Sequence, residues 1–335
     1  MKTTVLAATT AAALMLLTTA AQAQVQPAAP APNPGAQKAM PTTATRTGKR
    51  VNRIIDMWLK GQPVYYAQID GGGYEKGKEM AATKADYISY NIEHAPLDFT
   101  QLRAFMQGLK DAGPTRTGHV TPPVIVVLPI AGTADAVRAN TWMIQQALAQ
   151  GVHGILLCNA ESVEAVRLMV EAARYPFAPV AAGVNQGNRG NGSQGLAAPM
   201  WGMSGGDYVK VADLWPLNPD GEILLGLKIE NPRAVANVES LVRVPGISFA
   251  EWGPGDNGFY VLGAPGSGDS DTHPGMQSIR TRVLNATKAA GVKFLNACGV
   301  NNVEQQIRDG TMICTGGDSP AADKGRAFSK RTDPW

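Results

Sequence analysis

Residues 224–256 read LLGLKIENPRAVANVESLVRVPGISFAEWGPGD, and this stretch predicts a strand, a helix and a second strand. Residues 224–230 are an apolar run of strand length that ends before Asn231-Pro232. Apolar residues then recur at helical spacing, at Ala234, Val235, Val238, Leu241 and Val242. A Pro-Gly pair ends the helix, and residues 247–252 form the next apolar run. Such a unit places two parallel strands side by side through a right-handed crossover.

A carboxylate lies at or just past the end of each of these two strands, at Glu230 and Asp256. Because parallel strands end at the same edge of a sheet, we expect the two carboxylates to lie near one another. Mg²⁺ commonly takes one or two protein carboxylates and completes its shell with water and substrate oxygens. The spacing therefore predicts a divalent-metal site. The alternative is that both are ordinary strand-end acids that cap turns or form surface ion pairs.

Strand and helix patterns alternate along the rest of the chain. The sequence predicts strands near 64–69, 86–91, 123–128, 154–159, 223–230, 247–252, 292–296 and 311–315. Helical patterns fall between most of them, including 99–112, 134–149, 162–173, 273–290 and 303–309. Eight strands with alternating helices predict an α/β fold, a (β/α)8 TIM barrel. A doubly wound open sheet is the rival, but no Gly-x-Gly-x-x-Gly motif follows the first strand. Residues 183–221 form the longest stretch that we expect to be irregular.

The composition excludes some classes of function. The chain has 335 residues, 44% of them hydrophobic, which suffices for a core of barrel size. The net charge is only +3 and basic residues form no run, so the sequence gives no reason to expect a nucleic-acid partner. No apolar stretch beyond the N-terminal segment approaches the ~20 residues of a membrane helix, so we expect no membrane span after removal of that segment.

The N-terminal segment has the features of a secretory signal peptide. Lys2 precedes an alanine-rich apolar run at 5–20, and Ala21-Gln22-Ala23 is a small-x-small cleavage site. We therefore expect a signal peptide at 1–23 and a periplasmic or secreted protein, the alternative being a disordered apolar tail. Residues 24–47 are rich in Ala, Pro and Thr and predict a flexible tether, so the barrel domain is expected to span 48–335.

The three cysteines, Cys158, Cys298 and Cys314, are an odd number and have no metal-binding spacing. In an oxidising compartment Cys298 and Cys314 are candidates for a disulfide, since each closes a late strand. We nevertheless expect three buried, unpaired thiols.

Active sites of such barrels lie at the carboxyl ends of the strands. Glu93 and His94 follow the second strand, Leu128 ends the third and Asn159 ends the fourth. His94 is the best candidate for proton transfer, because an imidazole is neutral near pH 7 and accepts a proton from a water or hydroxyl. Its alternative role is to cap the turn into Ala95-Pro96.

Four motifs give the chain a specific resemblance. They are EHAP at 93–96, RYP at 174–176 followed by Arg189-Gly190, KIEN at 228–231 and GPGD at 253–256. In their order and spacing the chain resembles the HpcH/HpaI aldolase and citrate lyase family, metal-dependent carbon–carbon lyases that act on 2-oxo acids. The resemblance covers nearly all of residues 50–320. It implies a modified (β/α)8 barrel that forms a homo-oligomer, often a hexamer.

The resemblance also implies roles for individual residues. Glu230 and Asp256 would hold Mg²⁺ or Mn²⁺, which a 2-oxo acid such as pyruvate chelates, with an aldehyde as the second substrate. His94, beside Glu93, would be the base that acts through a water on the metal. Gly255 would let backbone N–H groups approach the substrate carboxylate.

Arg189 is expected to bind substrate, in a glycine-rich segment (187–206) that would contribute to specificity together with the strand-three loop and a neighbouring subunit.

The chain also departs from the family pattern. Leu128 stands where relatives carry an arginine that polarises the keto oxygen, and Lys228 stands where they carry a glutamine. Lys228 and Glu230 point to the same face of the strand, so Lys228 is a candidate catalytic cation near the lost arginine. An alternative is that Lys228 pairs with an acid deeper in the barrel. Losing such an electrostatic group costs about 3–4 kcal/mol of barrier.

The sequence therefore supports two main hypotheses. The first is an exported, divalent-metal-dependent lyase that works through an enolate. The second is an exported barrel that binds a metal and a small carboxylate with lost or altered catalysis. A hydrolase that uses the same metal is a third.

Overall fold

The computed structural model describes residues 49–264 and 272–332, which contain eight β-strands and twelve α-helices. The predicted signal peptide (1–23) and tether (24–47) lie outside these residues. The strands are β1 Val64–Ile69, β2 Tyr87–Asn91, β3 Val124–Ala131, β4 Gly154–Cys158, β5 Leu224–Lys228, β6 Ile247–Glu251, β7 Lys293–Asn296 and β8 Thr311–Thr315. The helices are α1 Arg53–Leu59, α2 Tyr74–Met80, α3 Phe99–Asp111, α4 Ala134–Ala149, α5 Val163–Ala173, α6 Gln194–Ala197, α7 Gly205–Val211, α8 Pro232–Leu241, α9 Pro254–Val261, α10 Pro274–Ala290, α11 Val303–Asp309 and α12 Pro320–Phe328.

The eight strands form a closed parallel barrel. Each strand pairs in parallel with the next in sequence, and β1 pairs with β8 to close the ring. Strands such as β3 are apolar on both faces because one face packs inside the barrel and the other against helices. The predicted (β/α)8 barrel is confirmed.

The unit at 224–256 forms as its sequence predicts. β5 pairs in parallel with β6, and α8 connects them. Asn231 is the N-cap of α8 and accepts a hydrogen bond from the backbone N–H of Ala234 at 2.9 Å, while Pro232 occupies the first turn. The residues that end the strand therefore also begin the helix.

Helix α1 closes the end of the barrel at which the strands begin. Ile54, Ile55 and Trp58 of α1 pack in the same buried cluster as interior barrel residues such as Phe249. The Trp58 indole donates a hydrogen bond to the carbonyl of Met312, near the start of β8. Substrate access is thereby left to the opposite end, where the strands finish.

The structure corrects several predicted boundaries. Residues 183–221 are not simply irregular, because they contain α6, a 3₁₀ helix at Ala198–Trp201 and α7. Gly253 is the N-cap of α9, so the GPGD motif at 253–256 is the start of a helix. Helices α2 and α12 were not predicted because their patterns are short and rich in charged or small residues.

The expectation of three free thiols was wrong. Cys298 and Cys314 form a disulfide, with a Cα–Cα distance of 5.3 Å. The pairing follows from the barrel, because β7 and β8 are neighbours in which Asn296 is aligned with Cys314 and Cys298 lies two residues further on. Cys158 remains free and buried.

Within the described part of the chain, no helix combines the length and the apolar character that are needed to cross a membrane.

Candidate active site

The open end of the barrel carries a small polar cavity of about 140 Å³. Its polar lining includes Glu93, His94, Lys228 and Glu251, together with Gln68, Ser89 and Asn91. Two tyrosines and several aliphatic side chains complete it, namely Tyr66, Tyr87, Ile125, Val127, Leu156 and Leu295. The structure thus brings together three of the predicted catalytic side chains in one place.

Glu230 lies just beyond β5 and is fully buried beside this cavity. Its Oε1 accepts a hydrogen bond from the backbone N–H of Asn159 at 2.8 Å. Its Oε2 lies 3.0 Å from the Lys228 ammonium, but within the described residues no hydrogen-bond donor is well aligned with it. Burial raises the pKa of Glu230 to about 8, although the charge of Lys228 opposes that rise. A carboxylate this buried is poorly stabilised by its present neighbours and is suited to bind a further cation.

Lys228 is the last residue of β5 and points into the barrel. Its ammonium donates a hydrogen bond to Glu93 Oε2 at 2.8 Å while it contacts Glu230. Burial alone would lower the pKa of Lys228, but the carboxylates of Glu230, Glu251 and Glu93 outweigh it and raise that pKa. Lys228 is therefore held as a cation and is unsuited to act as an amine nucleophile.

The turn after β2 is organised by Asn91. Its side-chain oxygen accepts hydrogen bonds from the backbone N–H groups of Glu93 at 3.0 Å and His94 at 3.4 Å. His94 Nε2 lies 3.4 Å from Glu93 Oε2, and two thirds of the His94 side chain is exposed. The imidazole is thus at the solvent side of the cavity, where it can exchange protons with a bound substrate and with water.

The start of α9 packs against Glu230. Gly253 has φ +54°, and a Cβ at this position would lie 2.2 Å from Glu230 Cβ. The Asn257 amide donates a hydrogen bond to the carbonyl of Ile229 at 2.9 Å, which fixes α9 to the end of β5. Asp256, in the first turn of α9, has no side-chain hydrogen bond or ion pair with any described residue. A Cβ at Gly255 would meet no atom of the described residues within 4 Å, so they leave open space beside this backbone.

The donor set fits a hard divalent cation. Within the described residues, Glu230 Oε2 has only the Lys228 ammonium at 3.0 Å and no well-aligned hydrogen-bond donor, and the Asp256 carboxylate has no partner. Both are carboxylates, the ligand type that Mg²⁺ and Mn²⁺ prefer. A second grouping includes sulfur, because ligand atoms of Glu93, Cys158 and Glu230 all lie within 4.8 Å of one another.

Leu128 is not at the cavity. β3 continues to Ala131, and the barrel register shifts between Leu128 and Ala131. Leu128 is fully buried in the cluster between barrel and helices, whereas Val127 lines the cavity. The interpretation that Leu128 ends strand three was therefore wrong. Lys228, and no residue of β3, supplies positive charge at the cavity.

Arg189, which was expected to bind substrate, does not line the cavity. Its backbone N–H donates to the carbonyl of Arg174, the C-cap of α5, and α5 ends on the side of the barrel where strands begin. The buried guanidinium stacks on Tyr175 and Tyr208, at 4.7 and 5.5 Å from the ring centroids, and donates to the Tyr208 hydroxyl. Within this chain the structure does not bring Arg189 to the cavity.

Glu251 and Cys158 are functional side chains of the site that were not predicted from the sequence. Glu251 ends β6 and faces Lys228, its register partner on β5; burial raises the pKa of Glu251. The alternation of strand side chains from Phe249 inward would have identified it. Cys158 ends β4 and faces the barrel interior, and the same alternation from Leu156 predicts this orientation.

Comparison with known proteins agrees with this geometry. Residues 78–320 match the model of the HpcH/HpaI aldolase/citrate lyase family, well over half of the chain. The chain belongs to the HpcH/HpaI aldolase/citrate lyase family. In this family member, the EHAP, KIEN and GPGD motifs lie at the cavity or next to it.

The sequence identity between this chain and individual members of the family is low. The chain is 27% identical to a hydroxypyruvate/pyruvate aldolase of Delftia acidovorans over 252 residues, 75% of each protein. It is 26% identical to a 2-keto-3-deoxy-L-rhamnonate aldolase of Klebsiella pneumoniae over 238 residues, 71% of this chain and 72% of the relative. Among solved structures, an HpcH/HpaI aldolase from Desulfitobacterium hafniense matches with a TM-score of 0.60 at 22% identity, covering 83% of this chain and 95% of that one. That likeness supports the barrel fold of this family member.

Proposed function

We propose that this protein is a divalent-metal-dependent carbon–carbon lyase of the aldolase type, acting on a 2-oxo acid through an enolate. The observation that carries the proposal is the grouping of Glu230, Lys228, Glu93 and His94 at the open end of the barrel, with Asp256 on the adjoining helix. The similarity to hydroxypyruvate/pyruvate aldolases supports a 2-oxo acid as the donor substrate.

Glu230 and Asp256 are the residues that would hold the metal ion, with Mg²⁺ or Mn²⁺ as the ion. When bound, the ion supplies Lewis-acid stabilisation of the negative charge that develops on the substrate's keto oxygen. Lys228 adds a second positive charge at the cavity and so contributes to the same stabilisation. This charge is the reason to expect turnover even though β3 provides no arginine.

The remaining roles follow from position. The α9 N-terminus, with no side-chain cap at Gly253 and open space at Gly255, offers backbone N–H groups to the substrate carboxylate. His94 accepts and returns the proton that moves during cleavage or formation of the carbon–carbon bond, with Glu93 orienting it at 3.4 Å. An aldehyde is the second substrate in this scheme.

We also propose that the protein is exported and works in the periplasm or outside the cell as a homo-oligomer, with a hexamer as the specific expectation. The sequence at 1–23 supports export. The Cys298–Cys314 disulfide agrees with it, because disulfides persist in oxidising compartments. Fractionation of cells and light scattering of the purified protein would test the two statements.

The test of the proposed activity is an aldol assay with pyruvate or hydroxypyruvate and a panel of aldehydes, with and without Mg²⁺ or Mn²⁺. Glu230→Gln and Asp256→Asn should abolish both metal binding and turnover. His94→Ala should bind metal normally but lose roughly 10²–10⁴-fold in kcat. Glu239→Gln, an exposed α8 residue paired with Arg282, is the control and should behave like wild type.

Full metal affinity in both carboxylate variants would contradict the proposal. Tight binding of metal and 2-oxo acid with no product from any aldehyde would favour a binding barrel instead.

A further inference from the structure

We infer that Lys228 is a resident cation of the metal centre: its ammonium occupies a cation position formed by Glu93, Cys158 and Glu230, and it competes with a divalent ion for Glu230. The inference rests on the proposed function in one respect, since it takes Glu230 as a metal ligand. It adds that this chain weakens its own metal site by an internal charge.

The geometry of the three side chains carries the inference. Their ligand atoms lie within 4.8 Å of one another, a spacing that suits a single cation between them. The Lys228 ammonium contacts two of the three, at 2.8 Å from Glu93 Oε2 and 3.0 Å from Glu230 Oε2. The cation position is thus already taken by the protein itself.

Burial makes this competition strong. Glu230 is fully buried, and only about a tenth of the side chains of Lys228 and Glu93 is exposed, at 12% and 13%. Water therefore screens the charges poorly, and two cations that share one carboxylate oxygen repel one another. A divalent ion that reaches Glu230 Oε2 must either displace the ammonium or bind against its charge.

Cys158, the third residue beside Glu93 and Glu230, adds a sulfur atom to the possible metal ligands at this position. Cys158 is 2% exposed, and its thiol donates to the carbonyl of Leu128 at 3.2 Å. A metal ion that takes the place of the ammonium would bind the Cys158 thiolate, and the thiol proton would pass to solvent. Sulfur ligation favours softer ions such as Co²⁺ and Zn²⁺ over Mg²⁺.

The experiment uses Co²⁺ as probe on the full mature chain, freed of metal by a chelator. Lys228→Met removes the charge, Lys228→Arg keeps it as the matched control, and Lys228→Met combined with Cys158→Ser removes the sulfur. Affinity is measured by calorimetry, and sulfur ligation by the near-ultraviolet thiolate-to-cobalt absorption. Thermal melting checks folding, and Lys228→Gln serves as a second charge-removing variant.

We expect Lys228→Met and Lys228→Gln to bind Co²⁺ at least about tenfold more tightly than wild type, since a buried like charge is removed. Sulfur absorption should be present in these variants and absent from wild type, from Lys228→Arg and from the combined variant. The ratio of Co²⁺ affinity to Mg²⁺ affinity should also be higher in Lys228→Met and Lys228→Gln than in wild type.

Equal Co²⁺ affinity in wild type and both charge-removing variants would overturn the inference and leave the proposed metal-dependent function standing. Sulfur absorption in wild type would also overturn it, because the ammonium would then not hold the position. Co²⁺ binding by Lys228→Met but not by wild type would support the inference and contradict the proposed metal dependence.

Discussion

The backbone of Gly253 touches the side chain of Glu230: a Cβ at 253 would lie 2.2 Å from Glu230 Cβ and 3.2 Å from Glu230 Oε2. The positive φ of +54° at Gly253 lets α9 begin at this contact. The fold thereby joins the end of β5 to the helix that carries Asp256.

Gly253→Ala should weaken metal binding as well as stability, because the new methyl group must push Glu230 or the start of α9 aside. The left-handed backbone alone costs about 1–2 kcal/mol for a non-glycine residue. Urea unfolding and metal titration measure the two effects. Gly263→Ala is the control, since Gly263 has φ +68° but an added Cβ would lie within 4 Å of no atom that the structure describes. If Gly253→Ala and Gly263→Ala lose the same free energy of unfolding and metal affinity is unchanged in both, the contact between Gly253 and Glu230 is contradicted.

Gly255→Ala should fold normally and still impair substrate binding. The added Cβ meets no atom of residues 49–264 and 272–332 within 4 Å, but it fills the space through which the N–H groups of α9 would reach the substrate carboxylate. Loss of one such charged hydrogen bond predicts a roughly tenfold or greater rise in KM for the 2-oxo acid. Steady-state kinetics measures it, with Gly195→Ala as a control that also has open space. An unchanged KM would mean that the carboxylate binds elsewhere.

His153 should make the fold acid-sensitive. Burial, helped by the nearby His119, lowers the pKa of His153 from 6.5 to about 3, and its Nδ1 accepts the backbone N–H of Val124. Below pH 6.5 the unfolded chain binds a proton that the folded chain resists, so stability is complete above pH 6.5 and falls as the pH drops towards 3. By pH 5 the loss is about 2 kcal/mol relative to a pH well above 6.5.

His153→Asn should flatten this dependence, because its amide oxygen accepts the Val124 N–H without titrating. Urea unfolding at several pH values measures the slope. His273→Asn, at the exposed N-cap of α10, should retain the wild-type slope. If the wild-type and His153→Asn slopes coincide, another group is responsible for the acid sensitivity.

The Cys298–Cys314 disulfide should stabilise the fold by about 3 kcal/mol, as expected for a loop of this length with a sequence separation of 16. Replacing both cysteines by alanine, or adding a reductant, should lower the free energy of unfolding by that amount. Reductant should have no effect on the double variant. Thiol titration of the denatured, unreduced protein should find one free thiol, that of Cys158; finding three would show that the pairing does not form.

The barrel could be predicted from the sequence because its signals are local. Each strand is a short apolar run bounded by turn residues, and Asn231-Pro232 marks both a strand end and a helix start. The close approach of Glu93, Lys228 and Glu230 also follows once parallel strands are aligned at one edge.

What could not be predicted depends on register and on neighbours distant in sequence. β3 extends past Leu128 to Ala131 through a register shift against β4, and no local pattern signals this extension. The disulfide depends on the alignment of β7 with β8. Arg189 lies beside the end of α5, where its backbone bonds to Arg174 and its guanidinium packs on Tyr175 and Tyr208.

We propose that this cavity generates an enolate from a 2-oxo acid with the help of a metal ion. The most direct measurement follows deuterium exchange from solvent into the methyl group of pyruvate, using the chain from Gln24 onward, stripped of metal and then titrated with Mn²⁺ or Mg²⁺. We expect exchange that requires metal, disappears in Glu230→Gln and is strongly reduced in His94→Ala. Binding of metal and pyruvate without any exchange, or exchange that continues after the metal is removed, would contradict it.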